Sequence, residues 1–297
     1  MLKKLIKKLS TLLSIGLQKQ TKALSEQIGT VSAIEQINIG LSYNLLNQNN
    51  AAPSPFNSHG FKVYSQHEED GLIWYIFSLI GATNKQCVEV CAGNGVECNS
   101  ANLIVNHGWL GLLFDGDAAN VKSARQFFHN HPSTRYWPPT IKHAWITKNN
   151  INQLILDERV EGEIDLLSLD IDGIDYWLWK ELTVVKPRLV VLEFNHLLGP
   201  ERSVTVPYRE DFKAEFTEWG SDYAGASLNA FCKLAKKKGY RLIGTNRYAT
   251  NAFFLREDIQ HKWLPEVQPK DCFQHPRAIF GIEKRFPLIK DKTWIEV

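Results

Sequence analysis

Beyond residue 60 the chain alternates between short apolar runs and longer stretches in which apolar residues return every three or four positions. Cys87 to Cys91, Leu110 to Phe114, Lys142 to Ile146, Asp165 to Leu169 and Arg188 to Glu193 are runs of the first kind. They read as strands covered on both faces. Glu68 to Leu79 is of the second kind, with Leu72, Ile73, Ile76 and Leu79 on one face, and Ala118 to His129 and Ile151 to Glu158 follow it as helices. Strands separated by helices predict an α/β domain with a doubly wound, mostly parallel sheet. Near the end, a helix over Ser227 to Lys238 leads into two strands, Tyr240 to Gly244 and Asn251 to Leu255, joined only by the turn-forming TNRYAT. Those two must run antiparallel, because a parallel return needs a crossover of about a dozen residues.

The pattern before residue 60 is different. Leu2, Leu5, Ile6, Leu9, Leu12, Leu13 and Leu17 repeat at helical spacing, Lys3, Lys4, Lys7, Lys8 and Lys19 fill the gaps, and no acid precedes Glu26. Val31, Ile34, Ile39, Leu41, Leu45 and Leu46 continue the helical spacing. Residues 1–47 therefore predict an amphipathic helical extension. It either makes peripheral contact with an anionic membrane surface or pairs two copies of the chain as a homo-oligomer. Residues 48–59, polar and with two prolines, read as a linker, and residues 60–297 as the catalytic domain.

Charge narrows the partners. The chain carries 34 Lys+Arg against 32 Asp+Glu, a formal net charge of +2, so no global basic field argues for nucleic acid. Five cysteines with no CxxC pair give neither a disulfide framework nor a zinc ribbon, which fits a reducing, cytoplasmic compartment. No apolar run reaches the roughly 18 residues of a membrane-spanning helix.

Candidate chemistry gathers at the ends of the strands, where open α/β sheets bind their ligands. The first strand runs into Glu89, Gly93, Asn94 and Gly95, and the second ends in Asp115-Gly116-Asp117. Glu89-x-x-x-Gly93-x-Gly95 resembles the first motif of S-adenosylmethionine (SAM) methyltransferases, with Cys91 where a glycine is usual. An acid after the second strand is placed to hold a ribose diol. Asp115 is the first choice for that task; Asp117 is the reserve, with helix N-capping as its competing role. The GxGxxG fingerprint of NADH sites is absent, since Cys98 follows Gly95 where a glycine is required.

The segment Asp165-Leu166-Leu167-Ser168-Leu169-Asp170-Ile171-Asp172-Gly173, followed by Pro187-Arg188 and an apolar strand ending in Glu193-Phe194-Asn195, resembles the FkbM-type methyltransferases. Ser65-Gln66 with Glu69-Asp70 is similar to the segment before motif one in that family, whereas Ser168 stands where a lysine is common. The resemblance implies a Rossmann-like, seven-stranded class I methyltransferase sheet closed by an antiparallel strand. It also implies SAM as cofactor, bound with help from Ser65 and Gln66, and O-methylation of a sugar, glycan or related small molecule.

Methyl transfer to an alcohol needs an aligned oxygen and a route for its proton. Asp170, Glu193 and Asn195 at the tips of the fourth and fifth strands offer oxygen ligands for Mg²⁺ or Mn²⁺, which lowers the pKa of a bound hydroxyl. This arrangement resembles that of metal-dependent O-methyltransferases; the competing role is capping of the next helix. His196 is the alternative base. Asp170 and Asp172 also satisfy the DxD pattern of metal-dependent glycosyltransferases, which leaves the glycine turn without a use. A third alternative is a non-catalytic binding module. Residues 197–226 are too long for an ordinary connection and are expected to wall the acceptor pocket, with Arg202, Tyr208, Arg209, Trp219 and Tyr223 as polar and aromatic contacts.

Overall fold

The computed structural model describes residues 32–297, and in it the apolar runs pair edge to edge while the periodic stretches coil over them. A helix over residues 32–48, α1, is followed by a single 3-10 turn at Phe56–His59 and by α2 (Glu69–Ile80). Then come β1 (Gln86–Val90), α3 (Ala101–His107), β2 (Leu110–Asp115), α4 (Ala118–Asn130), β3 (Thr140–His143), α5 (Ile151–Asp157), β4 (Gly162–Leu169), α6 (Asp175–Glu181) and β5 (Val185–Glu193). The long insertion contributes β6 (Val204–Thr205), β7 (Glu215–Thr217) and β8 (Gly220–Tyr223). It leads to α7 (Leu228–Lys238), β9 (Tyr240–Thr245) and β10 (Asn251–Arg256), and the chain ends with α8 (Pro276–Phe280), α9 (Phe286–Ile289) and β11 (Ile295–Glu296).

The main sheet has seven strands in the order β3-β2-β1-β4-β5-β10-β9. Strands β1 to β5 pair in parallel, and β10 inserts antiparallel between β5 and β9, as the short turn before Asn251 requires. Successive residues of a strand face opposite sides, so Leu112 and Phe114 join the core under α5, α6 and α7 while Leu113 joins the core under α2, α3 and α4. Both faces are apolar, which explains the unbroken apolar runs. The third strand sits earlier than the sequence pattern predicts, at Thr140–His143; Ala144, Trp145 and Ile146 lie past its end, where they are free to wall a cavity.

Residues 1–31, with their lysine-rich pattern, lie outside the described residues. In α1 most aliphatic positions do not face the domain, although Tyr43 packs edge-on against Tyr75. Gln36 and Gly40 are buried, whereas Ile34, Leu41 and Leu45 are 54%, 61% and 62% exposed. The rest of the docking is polar. Gln36 exchanges hydrogen bonds with the Asn102 amide at 3.1 and 2.8 Å, His107 Nε2 lies 2.8 Å from Gln36 Oε1, and the Trp74 indole N–H donates to the Gln36 carbonyl. The segment that reads as a linker is also anchored, because the Phe56 ring packs edge-on against Tyr75 and Phe253. Among the described residues no helix is long and apolar enough to cross a membrane.

Candidate active site

The turn after β1 is shaped by backbone conformations that few side chains tolerate. Cys91, Gly93 and Gly95 all have positive φ, at 67°, 56° and 77°. At Gly95 there is a second constraint, since a Cβ would stand 2.9 Å from the Phe128 ring of α4. The turn is tied to the next strand. Asp115, buried at the end of β2, accepts from the Gly93 amide at 2.8 Å through Oδ2, and from the Asp117 amide and the Asn120 side chain through Oδ1. A carboxylate has about four acceptor sites, so one remains on Oδ2. Asp117 caps α4 by accepting from the Ala119 amide, the competing role that its position suggested.

Beside this turn lies a cavity of about 550 Å³ lined by Asp115 together with Trp145, Ile146, Ile171, Ile174 and Phe212. Its size and mixture of apolar walls with one buried acid suit a nucleoside. A second cavity of about 390 Å³ is polar and contains Asp170, Asp172, Asp175 and Glu193. The turn from β4 to α6 serves both: Ile171 and Ile174 line the apolar cavity, Asp170, Asp172 and Asp175 the polar one. Asp175 fixes that turn by accepting from the amides of Ile171 at 2.8 Å and Gly173 at 3.0 Å.

Asp170, Asp172 and Glu193 each place a carboxylate oxygen within 4.8 Å of the others. Burial pushes the Asp170 carboxyl up to about 7 against a hydrogen bond from Glu193, with Asp175 and Asp172 adding to the rise. Burial and Asp170 push Glu193 well up as well. Two carboxyls this close are stable only with a shared proton or a cation between them. Hard oxygen donors in this number fit Mg²⁺ or Mn²⁺. Asn195, expected as the third ligand, is committed elsewhere: its Oδ1 accepts from the Leu197 amide, and its Nδ2 donates to the carbonyls of Asp222 and Ala224. Asn195 still lines the polar cavity, and Asp172, absent from the expected ligand set, joins Asp170 and Glu193 in the cluster.

His196 is a poor base in this setting. Among the described residues its Nε2 is shut from solvent without a hydrogen-bond partner, close to Gly281, and burial together with Arg277 and Arg285 lowers its pKa to about 3. Glu89 and Ser65, read as cofactor contacts, are consumed by the fold. Glu89 accepts from the amides of Asn99 and Ser100 at the start of α3 and from the Ser100 hydroxyl; Ser65 exchanges hydrogen bonds with Asp70. Asn94 accepts from the Val96 amide within the turn. Gln66 does reach the polar cavity, beside His67. Of the five insertion residues proposed for the acceptor, only Trp219 lines the polar cavity; Tyr223, for example, donates its hydroxyl to the Thr293 carbonyl. Arg277 and Arg285, which also line it, come from the C-terminal segment, where no motif marks them.

A sheet with this strand order, its seventh strand antiparallel, a glycine turn after the first strand and an acid after the second, defines the class I methyltransferase fold. No family model matches the chain, and no curated protein matches it. Solved structures similar to it include an S-adenosylmethionine-dependent methyltransferase from Clostridium acetobutylicum (11% identity, covering 59% of this chain and 85% of that one, TM-score 0.37). Others are magnesium protoporphyrin IX methyltransferase from Synechocystis (13%, 63% and 77%, 0.38) and the N-terminal domain of EvdMO1 with SAH bound (14%, 66% and 88%, 0.43). At that distance the class rests on this chain's own topology.

Proposed function

We propose that the protein is a SAM-dependent O-methyltransferase acting on a hydroxyl of a sugar, glycan or related small molecule. The observation that carries the reading is the shared turn at residues 170–175. It sets an apolar cavity with a ribose-type acid on one side and a carboxylate cluster for an acceptor on the other. Asp115 would hold the ribose through its remaining acceptor site, and the isoleucines and Phe212 would enclose the adenine. Asp170, Asp172 and Glu193 would hold a divalent cation, which when bound lowers the pKa of the acceptor hydroxyl. The same residues would align the oxygen and take its proton beside the apolar cavity, which the same turn lines, so that the oxygen can reach the sulfonium methyl. The FkbM-type resemblance, carried by the residues of β4, β5 and the turn after β1, supports the same reading.

A second reading keeps Asp170 and Asp172 as a glycosyltransferase DxD motif, favoured by the presence of both in one cluster. Calorimetry with SAM, a UDP-sugar and NADH separates these, and labelled SAM offered with a panel of hydroxylated glycans tests the transfer. SAM binding with methyl transfer to a hydroxyl is the expected result; binding of the UDP-sugar alone would sink the methyltransferase reading. For residues 1–47 we propose the anchoring role on an anionic membrane or a second copy, which the exposed apolar stripe of α1 supports.

A further inference from the structure

The polar cavity is not uniformly acidic. Alongside the carboxylates at the strand tips it is lined by Arg277, Arg285 and His67. Arg285 is already neutralised, since its Nε and Nη2 both donate to Asp222. Arg277 is not. Among the described residues it has no ion pair with a carboxylate, and its one side-chain hydrogen bond is Nη1 to His67 Nε2, at 3.3 Å. Burial, opposed by Glu69 and reinforced by Arg277 and Lys62, lowers the His67 pKa, which keeps the ring neutral and able to accept from the guanidinium. The bond spends one of five N–H groups, so donors for a carboxylate or phosphate remain on the exposed guanidinium.

Trp219, 51% exposed, also lines the cavity and braces its ring edge-on against Phe280, which gives a sugar ring an apolar surface.

We infer that the acceptor is an acidic sugar, whose carboxylate or phosphate is held by Arg277 while its hydroxyl lies at Asp170 and Glu193. The inference rests on the methyltransferase reading. An anion among the carboxylates would be repelled, and neither Asp170 nor Glu193 is ion-paired with Arg277, so the two ends can hold opposite parts of one molecule. A guanidinium can also hold a carboxylate or phosphate by a charge-assisted, bidentate contact that a neutral sugar cannot offer.

The test uses the full chain with S-adenosylhomocysteine present. Glucose, glucuronate and glucose 6-phosphate, then galactose and galacturonate, are titrated by calorimetry into the wild type and Arg277→Gln. At least one charged sugar is expected to bind about tenfold or more tighter than its neutral counterpart. Arg277→Gln should remove that preference and Arg277→Lys restore part of it. The glucuronate and phosphate arms distinguish the two anions. Equal binding of neutral and charged sugars, a preference that survives Arg277→Gln, or no binding of any charged sugar overturns the inference. Failure of S-adenosylhomocysteine to bind the wild type overturns the methyltransferase reading instead.

Discussion

The Gly93 amide donates to Asp115 Oδ2 across 2.8 Å, so the glycine turn after β1 and the acid after β2 are one unit. Replacing Asp115 with Ala removes the proposed ribose contact and releases the turn together. SAM affinity measured by calorimetry should fall by at least about tenfold, since each hydrogen bond to a charged group is worth about 1.5–3 kcal/mol. An unchanged affinity in a folded variant would take Asp115 out of the site.

The two glycines of the turn differ in cost. Gly95→Ala brings a Cβ within 2.9 Å of Phe128 and 3.1 Å of the Ala124 Cβ, on top of a left-handed backbone. Gly93→Ala has the same backbone penalty, about 1–2 kcal/mol, but no atom within 4 Å. Thermal melts should rank Gly95→Ala as the less stable by about 1 kcal/mol or more. Equal melting temperatures would mean that α4 yields to the extra methyl.

At the acidic cluster, exhaustive chelation should abolish methyl transfer while leaving SAM affinity nearly intact, and Asp170→Asn should do the same, because it keeps the shape and loses an anionic ligand. Mg²⁺ titrated into the wild type should give a calorimetric signal that Asp170→Asn weakens. Full activity after chelation excludes the metal. His196→Gln should leave the pH profile of the rate unaltered between pH 5 and 8, a range well above the histidine's lowered pKa of about 3.

Acid should loosen α1. Burial, with Lys85 nearby, lowers the His107 pKa to about 4 from an ordinary value of 6.5, while its Nε2 meets Gln36 and its ring stacks on Trp74 at 3.8 Å. The unfolded chain then binds a proton that the folded one refuses. Stability is therefore complete above about pH 6.5 and lost as pH falls toward 4, by up to about 3 kcal/mol from this group. Denaturant melts at pH 7 and 4.5 should show a drop that His107→Gln reduces. An equal drop in both would assign the acid sensitivity to other groups.

The proposed anchoring of residues 1–47 is read by flotation with vesicles containing an anionic lipid. The full chain should float and a chain starting at Ser32 should not. Equal flotation of both would move the contact to the stripe of Ile34, Leu41 and Leu45; flotation of neither leaves pairing of two copies, which light scattering reads.

The sheet was legible because its strands are buried on both faces, which forces runs such as Leu166-Leu167 and Val190-Val191-Leu192 that little else in the chain imitates. Its motifs were legible as positions but not as roles. The Asp165 and Arg188 that mark the two family-like strands form a buried ion pair at 2.8 Å, well before the strand tips, and so hold the sheet and not the substrate. Glu89 likewise serves the start of α3. Cys91, which breaks the glycine motif, adopts the left-handed conformation a glycine would, so the turn survives the substitution. What stayed hidden was contributed by distant chain: Arg277 reaches the cavity from beyond the sheet, and Asn195 looked free only because the carbonyls of Asp222 and Ala224 are remote in sequence. No spacing rule encodes a contact of that kind.

Gln36 has a consequence for how the molecule is oriented. Its four polar contacts with Asn102, His107 and Trp74 lock α1 to the α2–α3 side of the sheet, so the helix is a fixed shaft and not a tether. Whatever grips α1 thereby sets the compass heading of the whole domain. A turn of α1 is therefore a turn of the strand tips that line both cavities, and the two cannot be reoriented separately from the helix.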